Sequence, residues 1–201
     1  MYASIFSYRP SRERYQLIGY KLPDDKIVLQ QNLGTIPTDS LILLQGFMAA
    51  NETDQREKYL EKKQKIEELL RVLFKILDNI KTDGDLILYI LALINGILED
   101  KRTRVRNIVA MEKSANEAKK VEAVRILFDF LIQNKHEGQD AINQRDLASH
   151  TLAQIIVSLE YANCDTHARH FLTYLMERKN HVSDDCKSAC ILMLMKSNEL
   201  A

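Results

Sequence analysis

The sequence contains no tryptophan, and only three prolines and six glycines occur among its 201 residues. All three prolines, Pro10, Pro23 and Pro37, lie in the first 37 residues. Because a proline ring cannot continue the interior of a helix, the chain from Thr38 onward is free of the strongest helix breaker. We therefore predict an N-terminal arm at residues 1–37, extended or partly disordered, and a helical-repeat domain at residues 38–201.

An excess of charge of either sign is also lacking, since 28 basic side chains balance 28 acidic ones. Proteins that hold nucleic acid or an anionic membrane surface usually carry a clear basic excess, so we expect no nucleic acid partner. The longest apolar run, residues 86–98, is interrupted by Asn95 and Gly96 and is too short to cross a bilayer. Membrane association is therefore expected only through a protein complex.

Cysteine is sparse, and the three present are Cys164, Cys186 and Cys190. An odd number without CxxC spacing is typical of reduced thiols in a cytosolic protein rather than of a disulfide framework. The N-terminus lacks the apolar core of a signal peptide, which also favours the cytosol. We expect Cys186 and Cys190, four residues apart on an apolar stripe, to be core residues.

Sequence patterns that mark catalysis are missing. Neither GxxxxGK[ST] nor GxGxxG occurs, and there is no HExxH, GxSxG or EF-hand loop. Cys164, His167 and His170 offer zinc-type donors at spacings of three, but a second ligand pair is lacking and Cys164 is expected to precede the helix. We predict a non-catalytic protein with no catalytic, cofactor-binding or metal-binding residues.

Helical periodicity runs through the rest of the chain. We predict a long helix over Thr53–Ile80 and further helices whose N-caps are Asp83, Asp165 and Ser183. The pattern Arg71-Val72-Leu73-Phe74 recurs from Arg125 and, more loosely, from Arg169. Each copy is followed by a second helix with an apolar stripe, and the stripes are Leu86, Ile90, Leu93, Ile94, Ile97; Ala148, Leu152, Ile155, Ile156, Leu159; and Cys186, Cys190, Met193, Leu194.

The three helix pairs begin 54 and 44 residues apart, which fits an armadillo or HEAT repeat of roughly 40–47 residues with one insertion. One pair cannot bury its own stripe, but stacked pairs form a continuous core. We predict an all-α, armadillo/HEAT-like helical-repeat solenoid with a short irregular N-terminal arm. An irregular helical bundle is the alternative fold.

Several segments resemble a known family. They are Leu44-Gln45-Gly46-Phe47-Met48, then Leu86–Ile94 leading to Glu99-Asp100 and Arg104-Val105, and finally Cys186–Leu194 followed by Asn198-Glu199. In this order they resemble the N-terminal domain of the H subunit of vacuolar-type proton ATPases over residues 41–199. The tryptophan that often precedes the Leu-Gln-Gly segment is missing, and no counterpart of the family's C-terminal domain is present.

The resemblance implies a non-catalytic scaffold and regulatory component of a proton-translocating ATPase, in which another chain hydrolyses ATP. Its partners would be other pump components, especially the E and G subunits of the peripheral stalk. It would lie peripherally on the cytoplasmic side of an endomembrane such as the vacuole or lysosome and would couple ATP hydrolysis to proton pumping. The alternative function is that of an unrelated armadillo-like adaptor that binds a peptide or a signalling protein.

The densest basic run consists of Lys101, Arg102, Arg104 and Arg106. Such a run is often only a solvated turn and helix face. Because the arginine fork grips carboxylates well, we name these four residues as candidates for binding an acidic partner helix.

The last helix has a wide apolar arc that includes Ile191, Leu192, Leu194 and Met195. Exposed apolar surface marks an interface or a liability. We therefore expect that the chain is the ordered part of a longer protein or depends on its complex for solubility, and that it self-associates when it is alone.

Overall fold

A computed structural model of the chain describes residues 37–50, 55–80, 83–99, 102–116, 120–159, 161–178 and 181–199. The predicted N-terminal arm lies outside these residues except for Pro37. All regular structure within the described ranges is helical, and no strand occurs there. The all-α prediction is therefore confirmed.

The described ranges contain eight α-helices and one π-helical segment. We number the α-helices in chain order: α1 Thr38–Ala49, α2 Lys63–Asn79, α3 Gly84–Glu99, α4 Arg102–Glu112, α5 Ala123–Gln133, α6 Gln139–Ile156, α7 Tyr161–Glu177 and α8 Asp184–Glu199. The π-helical segment is Arg56–Leu60. The helices divide at residue 123 into two compact units, an N-terminal unit with α1 to α4 and a C-terminal unit with α5 to α8.

Helix α2 is the centre of the N-terminal unit and packs on α1, α3, α4 and the π-helical segment. Its charged first turns are largely exposed, whereas its later apolar positions, such as Leu70, Leu73 and Phe74, are fully buried. Helix α3 is apolar on nearly all sides and buries eight of its apolar side chains: Leu86, Ile87, Leu88, Ile90, Leu91, Ile94, Ile97 and Leu98. A helix that is apolar all round is expected in a core.

Helix α6 has the central position in the C-terminal unit, where it packs on α7 and α8. Every residue from Gln144 to Ala153 is buried, although most of them are polar. Its N-terminus follows Gly138, whose φ of 113° lies in the left-handed region that favours glycine. Burial of so many polar groups requires internal hydrogen-bond partners.

Most residues of the apolar stripes lie in the cores as predicted, whereas Leu159 lies beyond the end of α6 and is half-buried, as is Met193. In α3 the residues Leu86, Ile90, Ile94 and Ile97 are buried, and Leu93 is half-buried. The stripe of α6 is buried from Ala148 to Ile156, and in α8 it is buried at Cys186, Cys190 and Leu194. Several helices that follow one another in the chain pack together, as α2 does on α3 and α7 on α8, which is typical of helical-repeat proteins.

Two of the three predicted N-caps are confirmed. The backbone N–H of Leu86 donates to Asp83 Oδ1 at 3.1 Å, and that of Cys186 donates to Ser183 Oγ at 3.3 Å. The third, Asp165, is wrong because α7 begins at Tyr161. No glycine or proline separates Tyr161 from Asp165, so nothing in the backbone prevents the helix from starting earlier.

The predicted long helix over Thr53–Ile80 is also corrected. Within the described residues it consists of the π-helical segment and α2, which are separated at Glu61 and Lys62. Lys62 is extended, with φ −100° and ψ 108°. Similar charged residues flank the break on both sides, so local propensity gave no signal for it.

Candidate functional site

The predicted basic run coincides with the beginning of α4. Lys101 lies outside the described residues, and the structure gives only the backbone of Arg102 and Arg104. Arg106 is exposed. Val105, Ile108, Val109 and Met111 of α4 are buried and pack into the core of the N-terminal unit.

The helical register divides the basic run. An α-helix turns about 100° per residue, so the backbone position of residue 102 is one turn before Arg106, whereas position 104 is about 200° away from it. The basic residues at positions 102, 104 and 106 therefore do not share one face of the helix.

An exposed stripe on α4 instead consists of Arg106, Ala110 and Lys113, at spacings of four and three residues. Lys113 continues the last turn, since its backbone N–H donates to the Val109 carbonyl at 3.2 Å. We call these three residues the α4 basic stripe. Sequence reasoning missed Lys113 because it lies seven residues beyond the run, although a search at helical spacing finds it.

The sequence that contains this stripe is unbalanced in charge. Residues 101–113 contain five lysines and arginines and one acidic residue, Glu112, in a chain whose net charge is zero. An excess of basic residues in a surface segment generally attracts carboxylates and raises the association rate of an acidic partner.

The Leu44–Met48 segment, which carried part of the family resemblance, forms a packing contact. An added Cβ at Gly46 would lie 2.6 Å from Tyr59 Oη. The Tyr59 ring packs edge-on against Phe47 at 5.6 Å between centroids, and Lys65 Nζ lies 4.7 Å from its centre. Gln55 Nε2 donates to the Phe47 carbonyl at 2.9 Å. Through these contacts the Leu44–Met48 part of α1 packs against the π-helical segment.

A buried polar cluster in α6 was not predicted. Arg145 is only 3% exposed. Its Nε donates to the His181 carbonyl, and its Nη1 donates to the carbonyls of His136 at 2.8 Å and Asn134 at 3.4 Å. Carbonyl groups beyond a helix C-terminus have no hydrogen-bond donor within the helix. Arg145 is the donor to such carbonyls in the loop after α5 and in the loop before α8.

Asp146 extends this cluster from the next position of α6. Its Oδ1 accepts from the Ser183 backbone N–H at 2.8 Å, and its Oδ2 accepts from Ser183 Oγ at 2.5 Å. The thiol of Cys186 donates to the Asp146 carbonyl at 3.3 Å. The side chain that caps α8 is therefore itself held by α6, so the cluster has a structural role.

Two buried titratable groups near this cluster, Tyr174 and His150, are neutral at pH 7. Burial raises the pKa of Tyr174 to about 12, and its hydroxyl donates to the Leu131 carbonyl at 3.5 Å. Burial lowers the pKa of His150 to about 4. Neither group titrates near pH 7.

The histidine–cysteine group predicted as a weak metal candidate lies on α7. Cys164 is inside the helix rather than before it, which corrects the prediction, and its side chain is not described. Burial, and then the neighbouring His170, lower the pKa of His167. Across the described part of the chain, no group of three or more His, Cys, Asp or Glu side chains is arranged to hold a metal ion.

Cys186 and Cys190 are completely buried, with 3.9 Å between their sulfur atoms. Their predicted place in the core is confirmed.

A helix that spans a membrane needs roughly 20 predominantly apolar residues. The most apolar helix, α3, has 16 residues. Among the residues that the structure describes, no helix combines the length and the apolar character needed to cross a bilayer.

No curated protein and no solved structure matches the chain. The family model of the V-ATPase H subunit matches residues 29–200, a range that contains all the described helices. The match covers most of the chain and confirms the resemblance found in the Leu44–Met48, Leu86–Ile94 and Cys186–Leu194 segments. The chain therefore belongs to the family of V-ATPase H subunits.

Proposed function

We propose that this protein is a non-catalytic scaffold and regulatory component of a vacuolar-type proton ATPase. It binds the E and G subunits of the peripheral stalk and helps to couple ATP hydrolysis to proton pumping on the cytoplasmic side of an endomembrane. The single observation that carries this proposal is the family match over residues 29–200. In this proposal the helices form armadillo/HEAT-like repeats.

The mechanism of such a component is mechanical. A rotary pump needs stationary parts that resist the torque of the rotor. If the helices of such a part deformed under that torque, less of the energy of ATP hydrolysis would reach proton transport. Close-packed interiors have low compressibility and transmit strain. The Arg145 and Asp146 hydrogen bonds, which tie α6 to two loops of the C-terminal unit, support a stiff module of this kind.

The α4 basic stripe supports the stalk as partner. Binding through charge on an exposed helix face needs no conformational change in a helix whose other side is packed into a core. It also gives a fast, salt-sensitive association.

The test is binding of the purified chain to a purified E–G stalk pair without nucleotide, measured by calorimetry. We expect saturable binding at one site per pair. The matched control is the same chain titrated into isolated catalytic subunits of the pump. If the chain fails to bind the E–G pair, the stalk-binding proposal is wrong.

A second experiment tests coupling. The purified chain is added to V-ATPase that has been depleted of its own H subunit, and ATP hydrolysis and proton transport are measured together. We expect the number of protons moved per ATP to rise. An unchanged ratio, with the chain bound, would overturn the coupling role and leave only scaffolding.

A further inference from the structure

We infer that Cys186 and Cys190 are a redox-sensitive pair, which hydrogen peroxide oxidises to a disulfide that loosens the contact between α8 and α6. This modification goes beyond the proposed function, because it needs no partner of the chain. In a reducing compartment the pair rests as two thiols, and disulfides that form there are usually transient or redox-sensing.

The two thiols are close enough to react with each other. Their sulfur atoms are 3.9 Å apart on successive turns of α8. Residues four apart in an α-helix have Cα atoms about 6 Å apart, which lies within the roughly 4.4–6.8 Å that disulfides bridge. A disulfide between them is therefore possible within this one helix.

Formation of the bond must also deform the helix. The Cβ atoms of residues on neighbouring turns are about 5–6 Å apart, whereas a disulfide needs about 3.8 Å between them. The turn of α8 that contains Cys186 must therefore shift toward Cys190 and lose its regular helical geometry. Oxidation is thus coupled to a change at the beginning of α8.

The position of Cys186 near the end of a helix gives the oxidant access. Both cysteines are completely buried in the closed structure, and a buried thiol is inert. However, α8 begins at Asp184, so that Cys186 lies in its first turn. The ends of helices open locally at a lower free energy than the whole domain, and such opening exposes Cys186 to a small peroxide while Cys190 stays one turn deeper.

The reaction is balanced with hydrogen peroxide as the oxidant. The Cys186 thiolate attacks one peroxide oxygen, the O–O bond breaks, and the other oxygen leaves as water, which gives a sulfenic acid. The Cys190 thiol then attacks the Cys186 sulfur, forms the S–S bond and releases the second oxygen as water. Two thiols are thereby oxidised to one disulfide, and one peroxide is reduced to two waters.

The contacts of Cys186 determine the effect of oxidation. Its thiol donates to the Asp146 carbonyl of α6 at 3.3 Å, and a disulfide sulfur has no hydrogen to donate. The same turn is capped by Ser183, which is hydrogen-bonded to the Asp146 carboxylate. A shift of this turn therefore disturbs both the thiol contact and the cap, which join α8 to α6.

The first experiment identifies the bond. The folded full chain is treated with hydrogen peroxide, the remaining thiols are alkylated, and the chain is digested with trypsin without reduction. Cleavage after Lys179, Lys187 and Lys196 places the two cysteines on separate peptides, residues 180–187 and 188–196. We expect mass spectrometry to find these two peptides joined, and dithiothreitol to separate them.

Two variants serve as controls for the bond. Cys164→Ser should leave the joined peptides unchanged, whereas Cys190→Ala should abolish them. Because the joined peptides of the unmodified chain identify both cysteines directly, the result does not depend on how well Cys190→Ala folds. If Cys186 and Cys190 are alkylated only after denaturation, or if peroxide joins either of them to Cys164, the pair is not a redox site.

The second experiment measures the effect on α8. Hydrogen exchange of the backbone amides at residues 184–187 is compared in the reduced and oxidised chains, with residues 66–74 of α2 as the reference. We expect exchange at the start of α8 to become about threefold faster or more after oxidation, with no change in the reference. Dithiothreitol should restore the original rate, which separates the disulfide from methionine oxidation, since methionine sulfoxide needs its own reductases. Unchanged or slower exchange in the oxidised chain would overturn the loosening of α8.

Discussion

At the scale of single residues, the largest energetic effects come from polar groups that have no access to water. Arg145 and Asp146 are each 3% exposed. A buried charge is tolerated only when hydrogen bonds and opposite charges replace its hydration. Burial lowers the pKa of Arg145, while Tyr174 and Asp146 act in the opposite direction.

Replacing Arg145 by methionine tests this cluster. The change keeps much of the side-chain volume but leaves the carbonyls of His136 and His181 without their donor, so we expect the free energy of unfolding to fall by about 2–4 kcal/mol. Urea denaturation measures it. Arg169→Met, at an exposed position of α7, is the control and should change stability by less than about 0.5 kcal/mol. Similar losses for both variants would contradict the role of Arg145.

Gly46→Ala tests the contact between α1 and Tyr59. In an exposed helix this change normally stabilises by about 1 kcal/mol, but here the new methyl group meets Tyr59 Oη at 2.6 Å. We expect a net destabilisation of about 1 kcal/mol. In a Tyr59→Phe background, which removes that oxygen, the same change should become neutral or stabilising. A double-mutant cycle measures the difference, and a value near zero would exclude the clash.

His150 makes stability depend on pH. Its pKa falls from 6.5 to about 4 in the folded protein because of burial, so between these values the unfolded chain binds the proton more readily. Stability due to neutral His150 is therefore full above pH 6.5 and is lost progressively as pH falls toward 4, by up to about 3 kcal/mol. The slope of unfolding free energy against pH should be smaller in His150→Gln, and equal slopes would contradict the assignment.

At the scale of secondary structure elements, α8 shows the limit of an amphipathic pattern. Leu192 is 39% exposed and Met195 is 56% exposed, whereas Leu194 between them is buried. The exposed side of α8 therefore carries more apolar surface than is usual for a helix that faces only water.

We expect the isolated chain to self-associate through this side of α8. Met195→Glu should lower the weight-average mass in light scattering without loss of helicity, because the charge enters water. Leu194→Glu is the matched control and should unfold the helix, since its side chain is in the core. A chain that stays monomeric at high concentration would contradict this prediction.

The helices also differ in how well capping residues in the sequence predict their N-termini. Asp83 and Ser183 cap α3 and α8 because each side chain is placed to accept from the amide three residues later. Asp165 has the same chemistry but lies inside α7. A capping residue permits a helix to begin and does not require it, so sequence-based prediction of such ends is uncertain by a few residues.

At the scale of the whole molecule, the family match assigns the chain to a V-ATPase complex. We predict that the purified chain does not hydrolyse ATP, because no phosphate-binding loop is present in its sequence. A phosphate-release assay across successive purification steps tests this. Activity that increases in proportion to purity would contradict the prediction, whereas activity that declines identifies a contaminant.

The sequence by itself determined the helical class, the apolar stripes of α3, α6 and α8, and the family. These follow from periodicity and short segments, which are local properties of the chain. Only the tertiary structure decided which groups are partners over long separations. Arg145 and His181 are 36 residues apart, and Asp146 and Ser183 are 37 apart. No local pattern encodes such contacts, because they depend on how helices pack. For the same reason, the candidate basic surface changed from the run of four basic residues to Arg106, Ala110 and Lys113 once the buried side of α4 was known.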